Sequence, residues 1–440
     1  MLYLSIDFGT SAVKLSIVDE NCRTLEWARK DYPYMLLPGE KVEMDPNRML
    51  QAVYEASNSL KPELRRQVEM ICYDTFSPSP VFMDESGELV YPNIITHLDR
   101  RSRAQSEDIN RLIGKDHYLS ISGIYPFAGG CSAMTFLWFK QNEPWVYEKT
   151  RRIGHLPTYI HYKLTGKWMV DLVNASMMGL YETTTQKGWS GEVIDAVGLN
   201  PDLFGEIYNP GTLHGTLLPE MARKLGIPAG IPVAVGTNDV ASAQVGAGNL
   251  TAGRIMNTTG SSEMVSILTD IPQTNPHYYL RNSALPGLWQ IYSTTAGGFA
   301  VDWFYKELGQ DMTKEEFYSH FVPQCIEECL EGNEVTFDPY LSGDRQSLEK
   351  KTAAWHGLTL GSTRKQMLAA VLSAMQEVLA TTIREASEVL PLDPVIRISG
   401  GMATPTYLKL KEKMIPGFGY QIVDDCPILG NVKLAQHYLR

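Results

Sequence analysis

Basic residues are outnumbered in this chain: 39 Lys and Arg stand against 50 Asp and Glu, a formal net charge of −11. That deficit argues against a general nucleic-acid binder, which needs a basic surface. It leaves anionic small ligands open, because backbone amides bind phosphate on acidic proteins too. Cysteine is sparse as well. The six cysteines, at positions 22, 72, 131, 325, 329 and 426, form no CxxC pair, so neither a zinc site nor a disulfide framework is expected. No apolar run approaches the length of a membrane-crossing helix. The opening MLYLSIDFG has neither the basic flank nor the long apolar core of a signal peptide, and no segment is of low complexity. The expectation is a soluble, cytoplasmic protein with free thiols and with no nucleic-acid or membrane partner. Its 440 residues, 44% hydrophobic and 20% charged, are ordinary for a folded chain. They suffice for two or three domains at roughly 100–200 residues each.

What is present begins with strands. Residues 2–8 are an apolar run ended by Gly9, and residues 13–19 and 23–30 follow after short turns. So tight a connection between the first two dictates an antiparallel hairpin. Residues 45–60 have helical spacing with Pro46 near the start, and residues 68–73 form a short buried strand. Helices are expected within 132–141, within 144–168 ending at Gly166, and over 365–385. Strands are expected at 233–236 and 395–399. The alternation points to α/β layers. There is also an internal echo. Gly9-Thr10-Ser11 runs through an apolar strand to Asp19, and Gly260-Ser261-Ser262 runs likewise to Asp270. Two halves, each opening on a strand–turn–strand unit, are implied, with a boundary near residue 246.

Four segments carry chemistry. In Asp7-Phe8-Gly9-Thr10-Ser11-Ala12-Val13-Lys14, an acidic residue ends a strand, and the turn offers amides, hydroxyls and a cation for a phosphate. Asp7 suits a hydrated Mg²⁺. Thr258-Thr259-Gly260-Ser261-Ser262 repeats the hydroxyl-rich turn in the second half. Either turn read alone is equally an ordinary hairpin. Gly236-Thr237-Asn238-Asp239 places a carboxylate just past an apolar strand, as a base toward a substrate hydroxyl or as the cap of the next helix. Ser399-Gly400-Gly401-Met402 lets a flat ring approach the backbone, or is simply a tight strand–helix turn.

Together these segments resemble the FGGY carbohydrate kinases, which share the actin/hexokinase/Hsp70 ATPase fold. The likeness runs along nearly the whole chain and extends to Thr96-His97-Leu98-Asp99-Arg100-Arg101-Ser102, with His97 where the family has Trp. It continues through Gly130–Asn142, Asn174-Ala175-Ser176, Ile227–Asp239 and Asp338-Pro339-Tyr340-Leu341-Ser342-Gly343-Asp344-Arg345. The resemblance implies two RNase H-like domains, each a mixed sheet with flanking helices, around a central cleft: residues 1–245 on the sugar side and 246–440 on the ATP side. It implies an ATP- and Mg²⁺-dependent kinase that phosphorylates a hydroxyl of a small sugar, a ketose such as xylulose or a related aldonate or polyol. Asp239 would be the catalytic base and Asp7 would hold Mg²⁺ through water. Thr10, Ser11, Lys14, Thr259, Gly260, Ser261, Gly298, Gly400, Gly401 and Met402 would hold ATP. Asp74, Thr75, Phe76, Ser77, Asp99 and Asn238 would meet the sugar. On the same fold, an actin- or Hsp70-like ATPase and a non-catalytic sugar-binding regulator are the alternatives. A homodimer is the base-rate expectation, and the usual C-terminal extension of the family is expected to be missing.

Overall fold

A computed structural model describes residues 1–439 apart from 261, 342, 345–347, 349 and 350. Two large mixed sheets organise it. In the first, Leu2–Phe8 pairs antiparallel with Ala12–Asp19, which pairs antiparallel with Thr24–Asp31. On its other edge Leu2–Phe8 runs parallel to Val68–Thr75, which is flanked by Pro232–Ala234 and Thr237–Asn238. The second sheet repeats the plan. Ile255–Thr259 forms a hairpin with Glu263–Thr269 and runs parallel to Val395–Ser399 on its other side. Trp289–Thr295 and Tyr279–Asn282 extend it beyond the hairpin. The echo between the Gly9 and Gly260 segments is therefore a repeat of topology.

Local signals explain the helices that cover these sheets. Asp45 accepts from the Asn47 amide at 2.9 Å and Pro46 occupies the first turn of Pro46–Ser59. That helix buries Met49, Ala52, Val53 and Ala56 on the first sheet. Gly166 ends Leu156–Thr165 in the left-handed conformation at φ 72°. Thr363 and Gln366 form a capping box at the start of Arg364–Ser387. This helix is long and apolar enough to cross a membrane, yet 61% of its most apolar window is buried. Leu368, Leu372, Met375, Leu379 and Ile383 pack it against the second half's core.

The last helix, Cys426–His437, returns to the first sheet, where Ile428, Val432 and Ala435 meet Tyr3, Val18, Met70 and Cys72. It also crosses the helix Asp239–Gly246 at very close range. A Cβ on Gly430 would stand 1.9 Å from the Ser242 carbonyl oxygen, and one on Gly246 would stand 1.8 Å from that of Cys426. Only glycine allows these backbones to meet. The C-terminal helix thus buttresses the element that begins with Asp239.

Candidate active site

The two hydroxyl-bearing turns face one cavity of about 230 Å³, lined by Thr10 and Ser11 from the first sheet and by Thr258, Gly260 and Ser262 from the second. Each turn is closed by its own backbone: the Gly9 amide donates to the Ala12 carbonyl and the Gly260 amide to the Ser262 carbonyl, both at 3.0 Å. Tyr32 steadies the first by donating its hydroxyl to the Gly9 carbonyl at 2.6 Å. Ser261 lies outside the described residues, as do Ser342 and Arg345.

Two glycine turns gather behind the second hairpin. The Gly298 amide donates to the Gly260 carbonyl at 3.0 Å and the Met402 amide to the Thr259 carbonyl at 3.2 Å. Gly400, at φ +119°, holds its α-carbon so close that a Cβ would stand 2.2 Å from the Thr259 carbonyl oxygen. Gly401 opens outward with nothing within 4 Å of where a Cβ would be. So Gly298, Gly400, Gly401 and Met402 converge on the Thr259 turn from two other elements. The Thr259 side chain itself is corrected: its hydroxyl is fully buried beneath the turn, without a hydrogen-bond partner, and Thr258 and Ser262 face the cavity instead. A second buttress lies deeper. Glu263 and Lys411, both fully buried, form an ion pair completed by the Tyr407 hydroxyl at 2.6 Å and the Gln376 amide at 3.0 Å. It ties the helix Pro405–Met414, which follows the glycine pair, to the hairpin strand.

Asp239 lines the cavity. The cap of its helix is Asn238, whose side-chain oxygen accepts from the amides of Val240 and Ala241. Asp239 is the first helical residue, so the capping role falls to its neighbour. One Asp239 oxygen accepts from the Asn238 side-chain amide and the Val240 amide, each at 2.8 Å. Burial, and then the nearby Asp7 carboxylate, push its carboxyl up to about 7 from 3.8. Those two hydrogen bonds and the Arg281 charge pull the other way.

Asp7 and Asp74 sit side by side in parallel strands. Burial, then Asp7 and Asp239, hold the Asp74 carboxyl far above the usual range. Asp7 is raised chiefly by burial and relieved by its hydrogen bond with Asp74 and by Lys14. Of the two, Asp74 is the one pushed further toward its neutral form. Asp74 Oδ2 accepts from Asn431 of the last helix at 2.6 Å, and Asn431 in turn accepts from Ser242 at 2.7 Å.

Three expected sugar contacts and one phosphate contact are placed elsewhere. The strand carrying Asp74 and Thr75 runs on to Thr75, so both are buried inside the sheet. Asp74 turns to Asp7, and the Thr75 hydroxyl bonds the Phe76 carbonyl at 3.2 Å. Asp99 accepts from the Val42 amide at 2.7 Å and grips the Arg101 guanidinium, which also reaches Glu43, in a buried charge cluster. Lys14 pairs with Asp425, just before the last helix, and lies 5.5 Å over the Trp27 ring. It is absent from the cavity lining.

Phe76, Ser77 and Asn238 do reach the cavity, joined by His97. Ser77 is oriented by a chain of side chains that no motif marks. Its hydroxyl donates to Asn174 Oδ1 at 2.7 Å, which also meets His155 Nδ1 at 2.7 Å, and His155 Nε2 meets Ser132 at 2.7 Å. Burial drives His155 down to about 4, so the ring is neutral. Asp171, raised to about 6 mainly by burial, accepts from Asn174 and from Thr237 at the end of the Asn238 strand. Sequence reasoning also missed Arg281, Tyr279, Tyr292 and Phe127 in the same wall. No motif marks them either: sheet pairing brings in Tyr279, Arg281 and Tyr292, and Phe127 stacks on Tyr279. Among the described residues, no group of three or more His, Cys, Asp or Glu side chains is placed to hold a metal ion directly. A hydrated Mg²⁺ fits the donor chemistry at Asp7, whose charge raises the carboxyls of both Asp74 and Asp239.

Relatives and solved structures match this arrangement end to end. The chain is 24% identical over 448 residues to the xylulose kinase of Bacillus subtilis (strain 168), covering 98% of this chain and 87% of that one. It is 25% identical over 415 residues to the gluconokinase of Bacillus licheniformis, covering 91% and 80% respectively. A ligand-bound xylulose kinase from Lactobacillus acidophilus superposes with a TM-score of 0.88 at 20% identity, over 100% of this chain and 89% of that one. Plasmodium falciparum glycerol kinase with ADP gives 0.83 at 20% identity, over 100% and 89%. The fold is accordingly the two-domain actin-like ATPase fold. Residues 2–246 match the N-terminal domain of the FGGY family of carbohydrate kinases. With that match spanning the Gly9 turn, the Ser77 wall and Asp239, the chain belongs to the FGGY family of carbohydrate kinases.

Proposed function

We propose that the protein transfers the terminal phosphoryl group of ATP to a hydroxyl of a small sugar, and that Asp239 takes the proton from that hydroxyl. The observation that carries this is Asp239 in one cavity between two hydroxyl-bearing turns from opposite sheets. A carboxyl raised to about 7 suits a general base. It is ionised in a large fraction near neutral pH, and it is basic enough to draw a proton as the oxygen attacks phosphorus. Thr10, Ser11 and Gly260 offer hydroxyls and amides to the phosphates, while Gly298, Gly400, Gly401 and Met402 form the nucleotide side. Phe76, Ser77 and Asn238 meet the acceptor, with Ser77 held in orientation by Asn174.

Asp7 is the residue that would hold Mg²⁺ through water, and the ion would neutralise phosphate charge. We assign residues 1–245 to the sugar side and 246–440 to the nucleotide side, with the last helix folded back on the first sheet. We place the enzyme in the cytoplasm, with small molecules as its partners.

A coupled ADP-release assay over ketoses, aldonates and polyols tests the reading. Sugar-dependent ADP release is expected. Release that is the same with and without every acceptor would mark an ATPase instead.

A further inference from the structure

The side chains behind Ser77 allow only one consistent set of proton positions. Asp171, Asn174 and His155 are all buried, so none of them exchanges its partners for water. The Asp171 carboxyl, at about 6, is mostly ionised near neutral pH and is the fixed end of the chain. Its Oδ1 accepts from the Asn174 amide at 3.1 Å and from the Thr237 hydroxyl at 2.9 Å, and its Oδ2 stands 2.8 Å from the Asn174 side chain. A carboxylate only accepts, so Asn174 must turn its side-chain nitrogen toward Asp171. Turned over, it would set two oxygens against each other. Asn174 Oδ1 therefore faces Ser77 and His155, and it too only accepts.

His155 Nδ1 lies 2.7 Å from that oxygen and must carry the ring proton. Burial keeps the ring neutral, with its pKa near 4, so there is one ring proton to place. Nε2 is left to accept from the Ser132 hydroxyl at 2.7 Å. The same demand falls on Ser77. Its single proton goes to Asn174 Oδ1 at 2.7 Å, and only the lone pairs of its oxygen remain for the cavity. Swinging that proton toward a ligand would leave two oxygens in contact with no proton between them. A serine in water donates and accepts alike, whereas this one is set to accept.

We propose that Asn174 and His155 are positioning residues that fix Ser77 as a hydrogen-bond acceptor, so that the site reads one hydroxyl of the sugar as a donor and turns away a carbonyl, ether or carboxylate oxygen at that position. This rests on the kinase reading and adds a polarity to it. A second hydroxyl, the reacting one, goes to Asp239.

Two measurements test it. The first takes whichever of D-xylulose, D-gluconate, L-fuculose and glycerol is phosphorylated, with its monodeoxy and monodeoxyfluoro analogues, in the coupled ADP-release assay. Fluorine keeps a weak acceptor and no donor. At one hydroxyl, other than the reacting one, both analogues should lose roughly 10- to 100-fold in kcat/KM at unchanged KM for ATP. Ser77→Ala should remove most of that difference between parent and analogues. Asn174→Leu frees the Ser77 proton to turn to the ligand, so the fluoro analogue should gain on the deoxy analogue there, which general loosening of the site would not produce. A fluoro analogue that restores most of the activity in the wild type overturns the proposal, and so does the absence of any Ser77-dependent position. The second is nitrogen NMR of histidine-labelled full chain near neutral pH, with His155→Gln to assign the signal. A neutral Nδ1–H ring is expected, and the Nε2–H tautomer overturns the proposal even if Asn174→Leu does not fold. If no acceptor is phosphorylated, the kinase reading falls by itself and the tautomer still decides the polarity.

Discussion

Replacing Asp239 by Asn should destroy turnover and stabilise the fold, with the second effect depending on pH. Burial and the Asp7 carboxylate raise the Asp239 carboxyl from 3.8 to about 7. The native state therefore binds a proton that the unfolded chain releases between about pH 4 and 7. Stability from this group is complete below about pH 4 and is lost as pH climbs through 7. A rise of that size corresponds to about 4 kcal/mol at full burial. Solvent entering the cavity screens it, so about 2–3 kcal/mol is a fairer figure. Asn carries no charge and still offers an oxygen to the Val240 amide. The variant should match the wild type near pH 3.5 and exceed it by about 2–3 kcal/mol at pH 8, read from urea unfolding at several pH values. Its turnover should fall by roughly 10²–10⁴ at unchanged ATP affinity. For the wild type, kcat/KM should climb to a plateau above about pH 7. A stability difference that is flat with pH would show that Asp239 is not held against its charge. Turnover within a few-fold of wild type would remove it as the base.

The supporting elements give separable outcomes. Gly400→Ala forces a Cβ toward the Thr259 carbonyl at φ +119°. It should raise the KM for ATP and lower stability by about 1–3 kcal/mol while leaving acceptor binding unchanged, which acceptor and ATP titrations separate. Asn174→Ala frees the Ser77 hydroxyl and strips His155 Nδ1 of its partner. The acceptor KM should rise about tenfold, with about 1–3 kcal/mol lost in urea unfolding. Lys411→Ala leaves the Glu263 carboxylate buried without its cation and should cost about 3–5 kcal/mol. The double replacement Lys411→Met with Glu263→Gln should recover much of that, and equal losses in the single and double variants would contradict the pairing.

The parts of the fold that were legible in the sequence are those whose causes are local. The Gly9 hairpin follows from a turn too short for any other connection. The helix after Asp45 follows from its cap and proline, and the end at Gly166 from a left-handed glycine. Asp239 was found at the end of an apolar strand, although its neighbour Asn238 had to be seen capping the helix before the capping role could be set aside. Misplaced residues are those fixed by pairing at a distance. Asp74 and Thr75 read as loop residues because the apolar run stops at Tyr73, but the parallel partners Asp7 and Phe8 continue the strand past it. Asp99 reads as an acid awaiting a hydroxyl, yet Arg101 and Glu43 close a buried cluster around it. Lys14 follows the phosphate turn by a few residues, but Asp425 arrives from the far end of the chain and takes it.

That last displacement changes the electrostatic account of the site. A protein of net charge −11 must hold a polyphosphate, and Lys14 was the cation within reach of the turn. With Lys14 paired to Asp425, the described lining of the cavity carries one carboxylate, Asp239, and one permanent cation, Arg281. On the proposed reading, phosphate would be bound mainly by amides and hydroxyls of the two turns, which carry dipoles and no net charge, and a hydrated divalent ion held at Asp7 would supply the mobile counter-charge.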